Sequence, residues 1–165
     1  MGNKIFIWGL FVLPFIAVSC GDFQESSYIK AVSDGRTNYV NENFAASEKS
    51  FITALNWAEE RNDKIKIVIV LGELGRTYDA GGKIAEAEKV LLRRRTLAVD
   101  DRLDAETQIE TFVALGIFYA KNRKCDEAAT TFRELQLTTL SQSAPEEYAD
   151  GKALISELLQ LYCSP

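Results

Sequence analysis

One pattern of six residues occurs twice in this chain at an unchanged internal spacing, and it constrains the fold more than any other feature. Each copy reads large apolar, Leu, Gly, Tyr, Ala, large apolar. The members are Leu71, Leu74, Gly75, Tyr78, Ala87 and Leu91 in one copy, and Phe112, Leu115, Gly116, Tyr119, Ala128 and Phe132 in the other. Such self-similarity predicts stacked copies of one small structural unit.

The spacing within each copy predicts helices, because apolar residues recur at steps of three and four. Residues 64–71 are rich in β-branched side chains and would be a strand by propensity alone. However, they continue without a break into residues 72–78, where Leu74, Gly75 and Tyr78 share a helical face with Leu71. Proline is also absent between residues 20 and 144. We therefore predict an all-α fold.

The order large apolar, Leu, Gly, Tyr and then Ala, Phe resembles the signature of the tetratricopeptide repeat. The resemblance implies a right-handed α-solenoid of about three helix pairs over residues 28–139, followed by a C-terminal capping helix. Gly75 and Gly116 are then expected to let two helices approach closely, with Ala87 and Ala128 on the facing helices. A weaker first copy aligns through Gly35, Phe44, Ser47, Phe51 and Ala54.

The repeat is longer than the ordinary tetratricopeptide unit, which has 34 residues. Gly35, Gly75 and Gly116 are 40 and 41 residues apart. The surplus amounts to about two helical turns, so one added turn in each helix absorbs it. This length resembles the repeats of kinesin light chains in architecture, with no motor function implied.

A final helix is predicted from the Ser143-Ala144-Pro145-Glu146 segment, where Ser143 would cap a helix with Pro in its first turn. The helix is expected to end near Tyr162 and to cover the open end of the solenoid. An exported chain would favour a disulfide between Cys125 and Cys163, at the same end of an antiparallel helix pair. The alternative is that Cys125 fills a small apolar position, as Ile84 does one repeat earlier.

The N-terminus has the pattern of an export signal. Lys4 precedes an uncharged, mostly apolar run over residues 5–18, which is short for a membrane-spanning helix. The run ends in Ala17-Val18-Ser19-Cys20, which resembles the bacterial lipobox. The resemblance implies acylation of Cys20, a signal peptide over residues 1–19, a lipidated and poorly ordered tether over residues 20–27, and a repeat domain over residues 28–165. The alternative is an ordinary secretory signal.

Gly21 after the cysteine favours the outer membrane over the inner membrane, so the domain is expected in the periplasm or at the cell surface. Without residues 1–19 the chain has 18 basic and 24 acidic side chains, which does not favour nucleic acid as a partner. The chain contains no His, no glycine-flanked nucleophile and no metal-spaced cysteines. We therefore expect no enzyme activity, cofactor, metal site or small-molecule substrate. The basic run 93–95 points in three directions on a helix and is expected to have no joint role.

The family resemblance places a partner-binding groove on the first helix of each pair. The groove residues carried over by spacing are Ile29, Arg36, Tyr39, Arg76, Asp79, Glu110, Ile117 and Lys121. Their mixed character predicts a protein or peptide partner with some acidic and some apolar residues. The alternative is that they are ordinary exposed helix residues. The predicted function is a membrane-anchored interaction scaffold or adaptor, or else a fixed structural subunit of an envelope or secretion complex.

Overall fold

The computed structural model describes residues 20–164, which form eight helices and no strand. The all-α prediction is confirmed, including a helix over the β-branched stretch that begins at Lys64. The signal peptide predicted over residues 1–19 lies outside the described residues. The helices are α1 (Cys20–Val40), α2 (Phe44–Glu60), α3 (Lys64–Ala80), α4 (Ile84–Asp100), α5 (Ala105–Lys121), α6 (Cys125–Leu137), α7 (Leu140–Ser143) and α8 (Pro145–Cys163).

Helix α1 begins at Cys20, so residues 20–27, expected to be a poorly ordered tether, are helical instead. No Pro or Gly interrupts the chain between Gly21 and Gly35. Tyr28 and Ala31 are buried in a cluster with residues of α2 and α3 and hold the middle of α1 in place. Extending an existing helix costs little compared with nucleating a new one, so the helix continues outward from this packed turn.

The turns between helices are short and have a common geometry. Helices α2 to α5 each have 17 residues, and three or four residues connect them. The rest of each repeat is therefore helical, as its length predicted. Every turn from α1 to α6 contains one residue of positive φ, spaced 20 or 21 residues apart: Glu42, Asn62, Gly82, Arg102 and Arg123. Of these, only Gly82 is free of the steric penalty that a Cβ carries in this region.

Glycines mark the close approaches between helices in the first two pairs. A Cβ at Gly35 would lie 2.7 Å from Phe51 Cε1, and one at Gly75 would lie 2.5 Å from Leu91 Cδ2. These contacts confirm the expected role of Gly75 and the alignment of the weaker first copy. Ser47 takes the alanine position of that copy and is fully buried, with its hydroxyl 2.9 Å from the Gly35 carbonyl oxygen that it donates to.

The third pair departs from this arrangement. A Cβ at Gly116 would meet Ile155 of α8, 3.1 Å from Cδ1, rather than a residue of α6. The expectation that Gly116 admits its own facing helix is therefore wrong. Helix α6 has only 13 residues, and α8 packs against both α5 and α6. Burial of Ile155, which is 0% exposed, explains why α8 occupies this gap.

The C-terminal helix and the disulfide follow the prediction closely. Helix α8 starts with Pro145 in its first turn and ends at Cys163. A disulfide joins Cys163 to Cys125, the first residue of α6, with 5.6 Å between the two Cα atoms. The expected cap is wrong, because Ser143 belongs to α7 and Ala144, which has no side-chain cap bond, precedes α8.

Candidate functional site

A cleft of about 1170 Å³ lies between α1, α3 and α5, with side chains of α4 at its back. Seven of the eight predicted groove residues line it: Arg36, Tyr39, Arg76, Asp79, Glu110, Ile117 and Lys121. Ile29 does not; its side chain is 58% exposed on α1. The spacing therefore brought together side chains from three helices that are far apart in the sequence.

A buried carboxylate ties two of these arginines together. Glu73 on α3 is 7% exposed. Its Oε1 accepts a hydrogen bond of 2.8 Å from Arg36 Nε, and its Oε2 forms an ion pair with Arg76. Both arginine side chains remain more than half exposed, at 60% and 66%. The cleft therefore presents two guanidinium groups held at a fixed separation by one acid, with a net charge of one between the three groups.

A third arginine reaches the cleft from behind. Arg94 belongs to α4, and its guanidinium lies against Gly72 of α3, where a Cβ would be 3.2 Å from Arg94 Cζ. Burial lowers the pKa of Arg94, and the neighbouring carboxylate of Glu110 opposes this effect. The group still keeps its charge at any physiological pH, because an arginine pKa starts so high.

The two ends of the cleft differ in their polar contacts. Near the ends of α3 and α5, Asp79 Oδ1 accepts a hydrogen bond of 2.9 Å from Asn122 Nδ2, whereas Lys121 has no ion pair within the described residues. At the start of α5, Asp104 caps the helix by accepting a 2.9 Å bond from the Thr107 amide. This bond and a second one from the Thr107 hydroxyl lower the pKa of Asp104, although partial burial opposes them.

The basic run 93–95 divides as expected, with its three side chains in three places. Arg93 forms an ion pair with Glu59 of α2, and Arg95 pairs with Glu134 of α6 at 3.0 Å. Only Arg94 enters the cleft. The run therefore presents no joint basic patch.

Sequence reasoning missed both Glu73 and Arg94 as cleft residues. One signal was available for Arg94: Gly72 aligns with Val113 in the next repeat, so α3 carries an extra glycine on the groove side. A missing side chain at such a position admits a group from the helix behind. No comparable signal marks Glu73, because its burial depends on which helices come together.

A second polar cluster recurs between the helix pairs. Lys83 precedes α4, forms an ion pair of 2.6 Å with Glu48 of α2 and lies over the Tyr78 ring. One repeat later, Lys124 pairs with Glu88 of α4 and lies over the Tyr119 ring in the same way. Each conserved tyrosine position of the repeat is thus also a polar joint between neighbouring pairs.

The pKa of Tyr119 shows how strongly this joint is buried. Burial and the Glu88 carboxylate together raise it from 10.0 to about 12. The pKa of Tyr78 is raised for the same reasons, by burial first and by Glu48 second. Both phenols therefore stay protonated at any physiological pH.

The cleft combines cationic, acidic and apolar groups, which suits a protein segment. In the described part of the chain, no cluster of His, Cys, Asp or Glu side chains could hold a metal ion. No helix within residues 20–164 has both the length and the hydropathy to cross a membrane. Cys20, the predicted lipidation site, is the first residue of α1.

Comparison of the chain with protein-family models and with curated proteins found no match.

Proposed function

We propose that this chain is a bacterial envelope lipoprotein, acylated at Cys20, whose helical domain holds a protein or peptide partner near the membrane, with the outer membrane favoured. We further infer that its helix pairs stack as a right-handed solenoid of the tetratricopeptide type. The pattern of contacts supports stacking, because each helix from α1 to α6 packs chiefly on its neighbours in the chain. Domains of this kind act through a surface rather than through a reaction centre.

One observation carries the binding proposal. Side chains chosen by their repeat positions, on three helices separated by whole repeats, line one cleft. The cleft contains exposed guanidinium groups at Arg36 and Arg76 next to apolar surface such as Ile69, which is 41% exposed. A partner segment with acidic and apolar residues would satisfy both kinds of surface.

The anchor is tested by the intact mass of the protein and its distribution between membrane and soluble fractions. We expect the native protein to carry a mass increase equal to two or more acyl chains and to fractionate with membranes. A Cys20→Ser variant should lose both properties. A native protein without added lipid mass would refute the anchor and leave the binding proposal standing.

Site-specific photo-cross-linking in intact cells tests the cleft. A photoreactive residue at Ile117, inside the cleft, should give an adduct of defined mass. The same residue at Ile52, which is 38% exposed on α2 and outside the cleft lining, is the control. Equal adducts from both positions would count against the cleft.

Neutralising the arginine pair sharpens this test. Reversing the charge of Arg36 and Arg76 would leave the buried Glu73 beside two further acids and would destabilise the fold. The triple variant R36Q/E73Q/R76Q instead removes all three charges together. We expect it to reduce the Ile117 adduct about tenfold, whereas K30Q/D34N, which removes an exposed ion pair on α1 outside the cleft, should not.

A further inference from the structure

Arg94 is a buried cation whose partner is an exposed acid. The Arg94 side chain is 9% exposed, whereas the Glu110 side chain that pairs with it is 62% exposed. Glu110 can therefore move into water at little cost, but Arg94 cannot follow it. A buried charge left alone is expensive, so Arg94 needs a carboxylate at this position whether or not Glu110 supplies it.

The bonds that now hold Arg94 are long. Its Nε donates to the Val68 carbonyl oxygen at 3.2 Å, its Nη1 donates to the Glu110 carbonyl oxygen at 3.4 Å, and its Nη2 donates to Glu110 Oε2 at 3.2 Å. Strong bonds between guanidinium and carboxylate groups are about 2.7–2.9 Å long and are often bidentate. Glu110 reaches Arg94 through one oxygen only. A carboxylate entering from the cleft could face the planar group directly.

The other two arginines of the cleft are already neutralised from within the protein. Arg36 and Arg76 share the buried carboxylate of Glu73, which is 8% exposed and cannot leave without exposing the interior. Arg94 is the cation of this cleft whose counter-ion is exchangeable. Gly72 keeps the space in front of its guanidinium open, since a Cβ there would lie 3.2 Å from both Cζ and Nε.

We propose that Arg94 is the binding group for an acidic side chain of the partner, and that Glu110 occupies its place while the cleft is empty and is displaced on binding. This inference rests on the proposed function of the cleft as a binding site for a protein segment. The cleft lining extends past Arg94 in both directions, from Asp104 to Lys121 along α5. A segment lying along α5 therefore presents side chains to Arg94, not its terminus.

The experiment measures binding of labelled peptides to the full-length expressed protein by fluorescence anisotropy. The probe is an acetylated and amidated nonapeptide in which glutamate alternates with leucine, compared with the same peptide carrying glutamine instead of glutamate. The native protein should bind the glutamate peptide at least tenfold more tightly than the glutamine peptide. Equal affinities would overturn the proposal.

The Glu110→Gln variant gives the decisive readout, because it removes the internal competitor from an exposed position. We expect it to bind the glutamate peptide about tenfold more tightly than the native protein does. Glu106→Gln is the matched control: it removes the same charge from the same helix and cleft but has no bond to Arg94. Unchanged affinity in Glu110→Gln, or an equal gain in Glu106→Gln, would contradict displacement.

Two further comparisons complete the test. Arg94→Lys keeps the charge but loses the planar fork, and it should bind the glutamate peptide at least fivefold more weakly with a similar melting temperature. A glutamine peptide with a free C-terminal carboxylate should bind no better than its amidated form. Tight binding of that peptide would show that a chain terminus, not a side chain, occupies the site.

The proposed function and this inference can fail separately. If photo-cross-linking at Ile117 captures a partner and Glu110→Gln leaves peptide affinity unchanged, the cleft binds its partner without Arg94 and only the inference is wrong. If Ile117 gives no adduct but the peptides still discriminate as expected, Arg94 binds carboxylates and the partner in the cell lies elsewhere.

Discussion

The first two helix pairs and the third carry the same residue pattern, yet different helices fill the gap at the central glycine. In α1 and α3 the gap at Gly35 and Gly75 is filled by Phe51 and Leu91, from the next helix of the same pair. In α5 the gap at Gly116 is filled by Ile155 of α8. Phe132, which has the matching repeat position on α6, packs instead with the cluster that contains Ile155.

This difference shows that a repeat position determines the shape of a helix surface but not which neighbour meets it. Helix α4 has 17 residues, and no additional helix competes for its contact with α3. The 13-residue helix α6 covers less of α5, and α8 packs on the same helix. The last pair is therefore a three-helix unit, closed covalently by the Cys125–Cys163 disulfide.

Removing the disulfide should separate the two regions most strongly. The bond closes a loop between residues 38 apart, and on the chain-entropy model it contributes at most about 4 kcal/mol. In C125S/C163S we expect hydrogen exchange to rise in α6 and α8 while α1 to α4 keep their protection, with a lower overall free energy of unfolding. An even loss of protection over all helices would show that the third unit is not a separate region.

Alanine at the two equivalent glycines should give unequal effects. Gly75→Ala overpacks Leu91 and should lower the free energy of unfolding by about 2 kcal/mol. Gly116→Ala meets Ile155 at a looser 3.1 Å, and the gain of about 1 kcal/mol in helix propensity should nearly cancel its cost.

Double-mutant cycles then identify the neighbour in each region. Gly75→Ala should couple to Leu91→Ala, and Gly116→Ala should couple to Ile155→Ala by about 0.5–1 kcal/mol but not to Phe132→Ala. Denaturant unfolding measures each value. Coupling between Gly116 and Phe132 would mean that the third pair packs like the others.

Alkaline pH should produce the smallest difference. An unfolded tyrosine loses its proton near pH 10, whereas Tyr119 holds its proton to about 12. The unfolded state therefore releases a proton first, and stability should fall as pH rises from about 10 to 12. Tyr119→Phe should flatten this fall. Tyr78→Phe, at the same repeat position in the second pair, is the matched comparison, and urea unfolding at several pH values measures both.

Much of the architecture could be predicted because helix formation here depends on local information. Steps of three and four, the lack of Pro and the spacing of Gly75 and Gly116 were sufficient for the helices of the repeats. The extent of α1 was not predicted, because residues 20–27 have polar side chains that suit either a helix or a tether. Their helical state depends on the packing of Tyr28 and Ala31 further along.

The candidate site divides in the same way. Repeat spacing placed Arg36, Arg76 and Ile117 on one surface, since residues at equivalent positions of stacked units face the same side. It did not reveal that Glu73 joins two arginines, or that Arg94 reaches through the gap at Gly72. Both facts depend on contacts between residues that are 20 to 40 positions apart, which no local pattern encodes.

By itself, the sequence determined the helices, their turns and the partners of the disulfide, because these depend on residue type and spacing along the chain. The tertiary structure alone decided that α8 fills the gap at Gly116, that Glu73 is buried between Arg36 and Arg76, and that Arg94 holds an exposed acid from a buried position. The physical reason is that burial of an apolar side chain or a charge is a property of several helices together, and each helix surface permits more than one neighbour.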